Sequence, residues 1–260
     1  MPWVESESMS FRARHESADH ACAQRVLDSL EERRLRLEEY FDDVPGGITV
    51  VIHPSPAWLS AAHPFLPAAR LAAAPAGRRY LAGWPMASEL HVLSDEHLER
   101  RAAGSDSLAA LLGTAERLYA QLVIGGANEK LPPPWGPGRF VRYLRWTWLV
   151  EGGAQYFSGQ TPLFRAAIST RMRDRRRPTF PPSPRDAITL GGTIFDLLER
   201  LRGIDACLVL MSRLRRGGSG AAIELAFDAP LRRVEEQWRR YLREDLRPGA
   251  LIDEAARFEG

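Results

Sequence analysis

Strand signals in this chain stop at about residue 95, and that asymmetry constrains the fold more than any other feature. Before that point MSFRARH at 9–15, ITVVIHP at 48–54 and ELHVLS at 89–94 read as strands. The second of these is rich in β-branched residues and follows Pro45-Gly46-Gly47, a turn signal. Between the first two strands, residues 17–42 carry Ala21, Val26, Leu27, Leu30, Leu35, Leu37 and Phe41 among charged residues, the pattern of a long amphipathic helix. The Ala/Pro-rich stretch 55–79 is expected to hold a short helix in a long connection. After residue 95 only helical patterns follow, at 95–102, 105–124, 140–158, 162–174, 184–202, 204–216, 219–227 and 230–244. A Pro- and Gly-rich loop, GGANEKLPPPWGPGR at 125–139, interrupts them. Strands followed by helices indicate the α+β class. The expected organisation is an N-terminal tail at 1–8, an α+β subdomain with a mixed sheet and long helix at 9–104, a helical subdomain at 105–246, and a C-terminal tail at 247–260.

Apolar residues make up 45% of the chain and charged residues 26%, as in ordinary globular proteins, so a packed core is expected. Net charge is +2, which gives no global attraction to nucleic acid or membrane. The opening MPWVESESMSF lacks the apolar run of a signal peptide, and no stretch approaches a membrane span. Cys22 and Cys207 fall in helical segments and read as small buried hydrophobes of a reduced setting. A cytoplasmic protein without a membrane partner is the expectation.

Two carboxylates stand out. On the 105–124 helix, Leu108, Leu111, Leu112, Ala115, Leu118, Tyr119, Leu122 and Val123 form a wide apolar arc, and Glu116 projects with it. Ser107, Thr114, Arg117 and Gln121 take the other side. Glu151, in WLVEGGAQYFSGQ at 148–160, has Leu144, Trp148, Ala154 and Ser158 as axial neighbours. Gly152, Gly153 and Ala154 permit close approach of another helix. Two such carboxylates on successive helices suggest a shared pocket. The plainer alternative pairs each with an arginine such as Arg142 or Arg145.

Trp148-Leu149-x-Glu151-Gly152-x-Ala154-x-Tyr156-x-x-Gly159 resembles the third-ligand segment of the gluzincin zinc metallopeptidases, in which such a helix follows an HExxH helix after a variable loop. LRRVEEQWRRYL at 231–242 resembles the closing helix of bacterial members, and GGTIFDLLERLRG at 191–203 their helix after the site. The resemblance implies a zincin-like metallopeptidase fold. It sets Ala115-Glu116-Arg117-Leu118-Tyr119 against HExxH, with Glu116 as the remnant general base and Ala115, Tyr119 and Glu151 at the three metal positions. Alanine has no ligand atom and a neutral phenol is a poor zinc donor, whereas catalytic zinc normally takes three protein ligands. The expectation is therefore a degenerate member with no zinc. His91, Trp148 and Gln155 are the further residues expected at its cleft.

His15 and His20, in HESADH, are five residues apart and cannot share a helix face. His53, His63, His91 and His97 show no ligand spacing with one another. RMRDRRRP at 171–178 concentrates arginines but lacks interleaved aromatics, and a solvated loop is the expected reading. No phosphate-binding, dinucleotide or nucleophile-elbow motif occurs. The leading functional expectation is an inactive pseudo-peptidase with a peptide- or protein-binding or regulatory role. One alternative is a hydrolase working through Glu116 and Glu151, or through a metal recruited by these two and His91. The other is a scaffold or nucleic-acid-associated protein acting through the 171–177 arginines.

Overall fold

The computed structural model describes residues 2–174, 176–214 and 216–244. The expected tail at 247–260 lies outside them. Five strands, β1 (Trp3–Glu7), β2 (Phe11–Glu16), β3 (Ile48–His53), β4 (Gly83–Pro85) and β5 (Glu89–Leu93), form one mixed sheet in the order β1-β2-β3-β5-β4. The three central strands are parallel and both edge strands antiparallel. The helices are α1 (His20–Glu38), α2 (Pro56–Ala62), α3 (Phe65–Ala72), α4 (Pro75–Arg78), α5 (Asp95–Glu99), α6 (Ser105–Leu112), α7 (Thr114–Ala127), α8 (Pro137–Phe157), α9 (Arg165–Met172), α10 (Ala187–Leu190), α11 (Gly192–Arg202), α12 (Ile204–Ser212), α13 (Gly218–Phe227) and α14 (Leu231–Glu244). The α+β class and the mixed N-terminal sheet are as the sequence indicates.

Three expectations are corrected. The residues expected as an N-terminal tail supply β1, whose Glu5 and Glu7 pair with Arg12 and Arg14 of β2 across the strand pair. The short strand β4 was not expected at all. Gly-Trp-Pro carries no alternating pattern, and proline is tolerated there because β4 is an edge strand. Finally, the 105–124 helix is two helices that meet at Gly113. One hydrophobic cluster runs from Phe11 through Val50 and Leu118 to Trp238.

Strand alternation gives the sheet two different faces. Phe11, Ala13, Ile48, Val50, Ile52, Leu90 and Val92 are in register on one face and are all buried. This face meets α7, where the Phe11 and Tyr119 rings pack edge to face at 5.0 Å. Arg14, Val51, His91 and Trp84 align across the opposite face, and α2 packs against β3 and β5. Gly83 is what lets β4 lie on α7: a Cβ there would stand 2.7 Å from Leu118 Cδ1 and 2.5 Å from the His91 carbonyl oxygen. Among the described residues, no helix is long and apolar enough to cross a membrane.

Candidate functional site

Helices α7 and α8 are joined by the 128–136 loop and pack closely together. Glu151 lies on α8 with its side chain 3% exposed. Its Oε2 accepts from Arg117 Nη1 at 2.6 Å and its Oε1 accepts from the Tyr143 hydroxyl at 2.8 Å. Arg117 Nη2 donates to the Tyr80 carbonyl at 3.0 Å. Tyr143 sits two turns before Glu151 on α8, and the helix departs from helical dihedrals at Trp146, between them. Thr147 Oγ1 donates back to the Tyr143 carbonyl at 2.8 Å, a competitor for the backbone that bends helices. Burial, reinforced by the Glu151 carboxylate, holds the Tyr143 phenol well above its ordinary pKa, so it stays a donor.

Arg117 was expected on the polar side of its helix, and it is instead the partner that Glu151 requires. A buried carboxylate is tolerated when paired and fully hydrogen-bonded. Both oxygens of Glu151 thus have a protein partner, one the Arg117 guanidinium and the other the Tyr143 hydroxyl.

Glu116 faces elsewhere. Its Oε2 accepts from Arg33 of α1 at 3.0 Å and 3.2 Å. Burial raises its pKa, an effect that Arg33 opposes. Glu116 and Glu151 thus hold different arginines and do not form the shared pocket expected of them. Arg142 and Arg145 are not their partners. Ala115 is buried, and Tyr119 donates to the Pro45 carbonyl at 2.7 Å on the sheet side of α7. The sequence register that set Ala115 and Tyr119 opposite Glu151 is therefore not the one the helix presents.

Trp148 and Gln155 do not line a cleft either. The Trp148 indole donates to Ser219 Oγ at 3.0 Å, and Gln155 bridges the Ile188 carbonyl and the Gly192 amide. Both are buried struts between α8 and the later helices. Gly152 serves the same packing: a Cβ there would stand 2.5 Å from the backbone of Gly191. Of the arginine run, Arg171 is buried and forks onto Asp186 at 2.7 and 2.9 Å. That pairing fixes a loop and leaves Arg171 unavailable to phosphate.

Side chains also bond to the backbone of β4 and of the segment that leads into it. Trp135, from the 128–136 loop, donates its indole N–H to the Pro85 carbonyl at 2.5 Å and stacks on Trp84 with ring centroids 4.4 Å apart. Arg70 donates to the Leu81 carbonyl at 2.9 Å. With the Arg117 bond to Tyr80, side chains occupy the carbonyls of residues 80 and 81 just before β4 and of Pro85 at its end.

A second constellation escaped the sequence reading. His53 at the end of β3, His63 after α2 and His91 on β5 are all buried, and one ligand nitrogen from each lies within 4.8 Å of the other two. Strand pairing was the signal that could have found it, because Val51 pairs with His91 and so puts His53 on the same face. The open concavities lie elsewhere. One of ≈ 460 Å³ is lined by Arg33, Arg36, Tyr40, Tyr156 and Phe157. A neighbour of ≈ 300 Å³ shares Tyr40 and adds Phe41, Leu208 and Met211.

No family model, curated protein or solved structure matches the chain.

Proposed function

We propose that this chain is a zincin-like protein without peptidase chemistry whose role is to bind a peptide or protein partner. The observation that carries this reading is the Arg117–Glu151 pair. If the frame of the resemblance is shifted by two residues, Arg117-Leu118-Tyr119-Ala120-Gln121 stands against HExxH. Arg117 and Gln121 then take the two histidine positions, one turn apart, and Arg117 does meet Glu151. Its guanidinium gives that carboxylate the positive charge that zinc gives the third ligand in gluzincins. Leu118 falls at the general-base position, where it can activate no water.

The Pro85 carbonyl at the end of β4 is taken by the Trp135 indole, which leaves less of that edge to an extended substrate. Glu116, tied to Arg33, is not placed to act with Glu151 as an acid–base pair. For the partner, the two concavities that meet at Tyr40 offer aromatic and apolar walls with charged rims, the composition that suits a peptide side chain.

The test is hydrolysis of a mixed peptide library with zinc supplied, comparing the natural chain with Glu116→Gln and Glu151→Gln. No cleavage by any of the three is expected. Cleavage that either substitution abolishes would sink the proposal. A peptide array should in turn show binding that Tyr40→Ala weakens by about 10-fold or more, as loss of an interface aromatic does.

A further inference from the structure

We propose that His53, His63 and His91 form a divalent transition-metal site, zinc in the first instance, on the face of the sheet away from α7. Three elements converge there. β3 and β5 are parallel neighbours whose register puts His53 and His91 on one face, and α2 delivers His63 at its C-terminal end. His53 Nε2 lies 2.9 Å from His91 Nδ1, and the His63 and His91 rings meet edge to face with centroids 4.0 Å apart.

Two features separate this group from histidines that merely pack together. His63 Nε2 is buried and has no hydrogen-bond partner, an uncommon state for a polar atom that is 3% exposed as a residue. A metal ion would supply what it lacks. Next, His91 Nε2 lies 3.2 Å from Glu89 Oε2. A proton on that nitrogen, donated to the carboxylate, leaves His91 Nδ1 with its lone pair toward His53 and His63. This is the carboxylate–histidine arrangement that orients metal ligands.

Three imidazole nitrogens suit zinc or its first-row neighbours, with a fourth position left for water or another ligand. With the His91 proton on Nε2, the 2.9 Å contact in the metal-free chain is made by a proton on His53 Nε2. Binding therefore requires His53 to carry its proton on Nδ1, a tautomer shift with no change of charge. The ligand nitrogens must also shift, because tetrahedral bonds of about 2.0–2.1 Å put nitrogens about 3.3 Å apart: His53 and His91, now at 2.9 Å, part slightly, and His63, within 4.8 Å of both, adjusts to them. His63 lies at a helix end and can make that move.

The experiment uses the full, untagged chain, stripped of metal and titrated with zinc and then with cobalt as a spectroscopic probe. One zinc per chain, a rise in Tm and tetrahedral or five-coordinate cobalt bands are expected. His63→Gln should weaken zinc binding about 100-fold or more, and it breaks no hydrogen bond of the metal-free fold. Glu89→Gln should weaken it roughly 10–100-fold. Glu151→Gln should leave it unchanged. A chain that binds no zinc, or binds it equally well as His63→Gln, would overturn the site. Zinc lost in Glu151→Gln but kept in His63→Gln would overturn it too, and would also refute the non-catalytic reading of the α7–α8 centre.

Discussion

Arg117, Glu151 and Tyr143 behave as a unit, and the cost of breaking it depends on which member is removed. Arg117 and Glu151 are 2% and 3% exposed in their side chains. Arg117→Met leaves a buried carboxylate with only the Tyr143 hydroxyl, and a loss of about 3–5 kcal/mol in unfolding free energy is expected. The double variant Arg117→Met/Glu151→Leu removes both charges and should recover most of that loss. Tyr143→Phe strips one oxygen of its donor and should cost about 1–3 kcal/mol. Denaturant melts of the natural chain and these three variants measure the differences. If the double variant is no more stable than Arg117→Met, the pair is not acting as a coupled buried bridge. Glu151 was legible in the sequence as a charge out of place, but Arg117 was not. Helical periodicity sets only relative angles along one helix, and the neighbour facing each angle is fixed by tertiary packing.

At the level of elements, long periodic segments were readable and short ones were not. α1, β3, β5, α8 and α14 lie close to where pattern and turn signals put them. β4 is three residues containing Gly and Pro, and β1 has most of its residues exposed, so neither could announce itself through burial. The glycines after Glu151 were read correctly as a place of close approach. Gly152 and Gly191 bring α8 and the start of α11 together at backbone distance. Gly152→Ala therefore puts a methyl into main-chain atoms that cannot rotate away, and a loss of at least about 1–3 kcal/mol is expected. Gly126→Ala, which meets nothing within 4 Å, is the control and should gain up to about 1 kcal/mol from helix propensity. A Gly152→Ala chain no less stable than Gly126→Ala would show that the α8–α11 contact does not set the effect.

Across the whole molecule, the sheet and the later helices share a single core, so local charge states should register in one cooperative unfolding transition. Asp196, on α11, offers the cleanest example. Burial pushes its carboxyl up to about 6, against 3.8 for the free side chain, while the Tyr241 hydroxyl, which donates to Oδ2 at 3.0 Å, and Arg200 pull it back. With the folded value above the unfolded one, the native chain keeps a proton that the unfolded chain has already released. That contribution is fully present below pH 3.8 and is lost as pH rises through 6. Asp196→Asn keeps an acceptor for Tyr241 but no longer titrates. Relative to Asp196→Asn, the natural protein should therefore lose about 2 kcal/mol of stability, or somewhat less, between pH 4 and pH 6.5, from a shift of about 2 units at ~1.4 kcal/mol each. Above that the difference should be flat. Urea midpoints for both chains over this range measure it, and a difference that grows in the opposite direction would mean that Arg200 and Tyr241 outweigh the desolvation of Asp196.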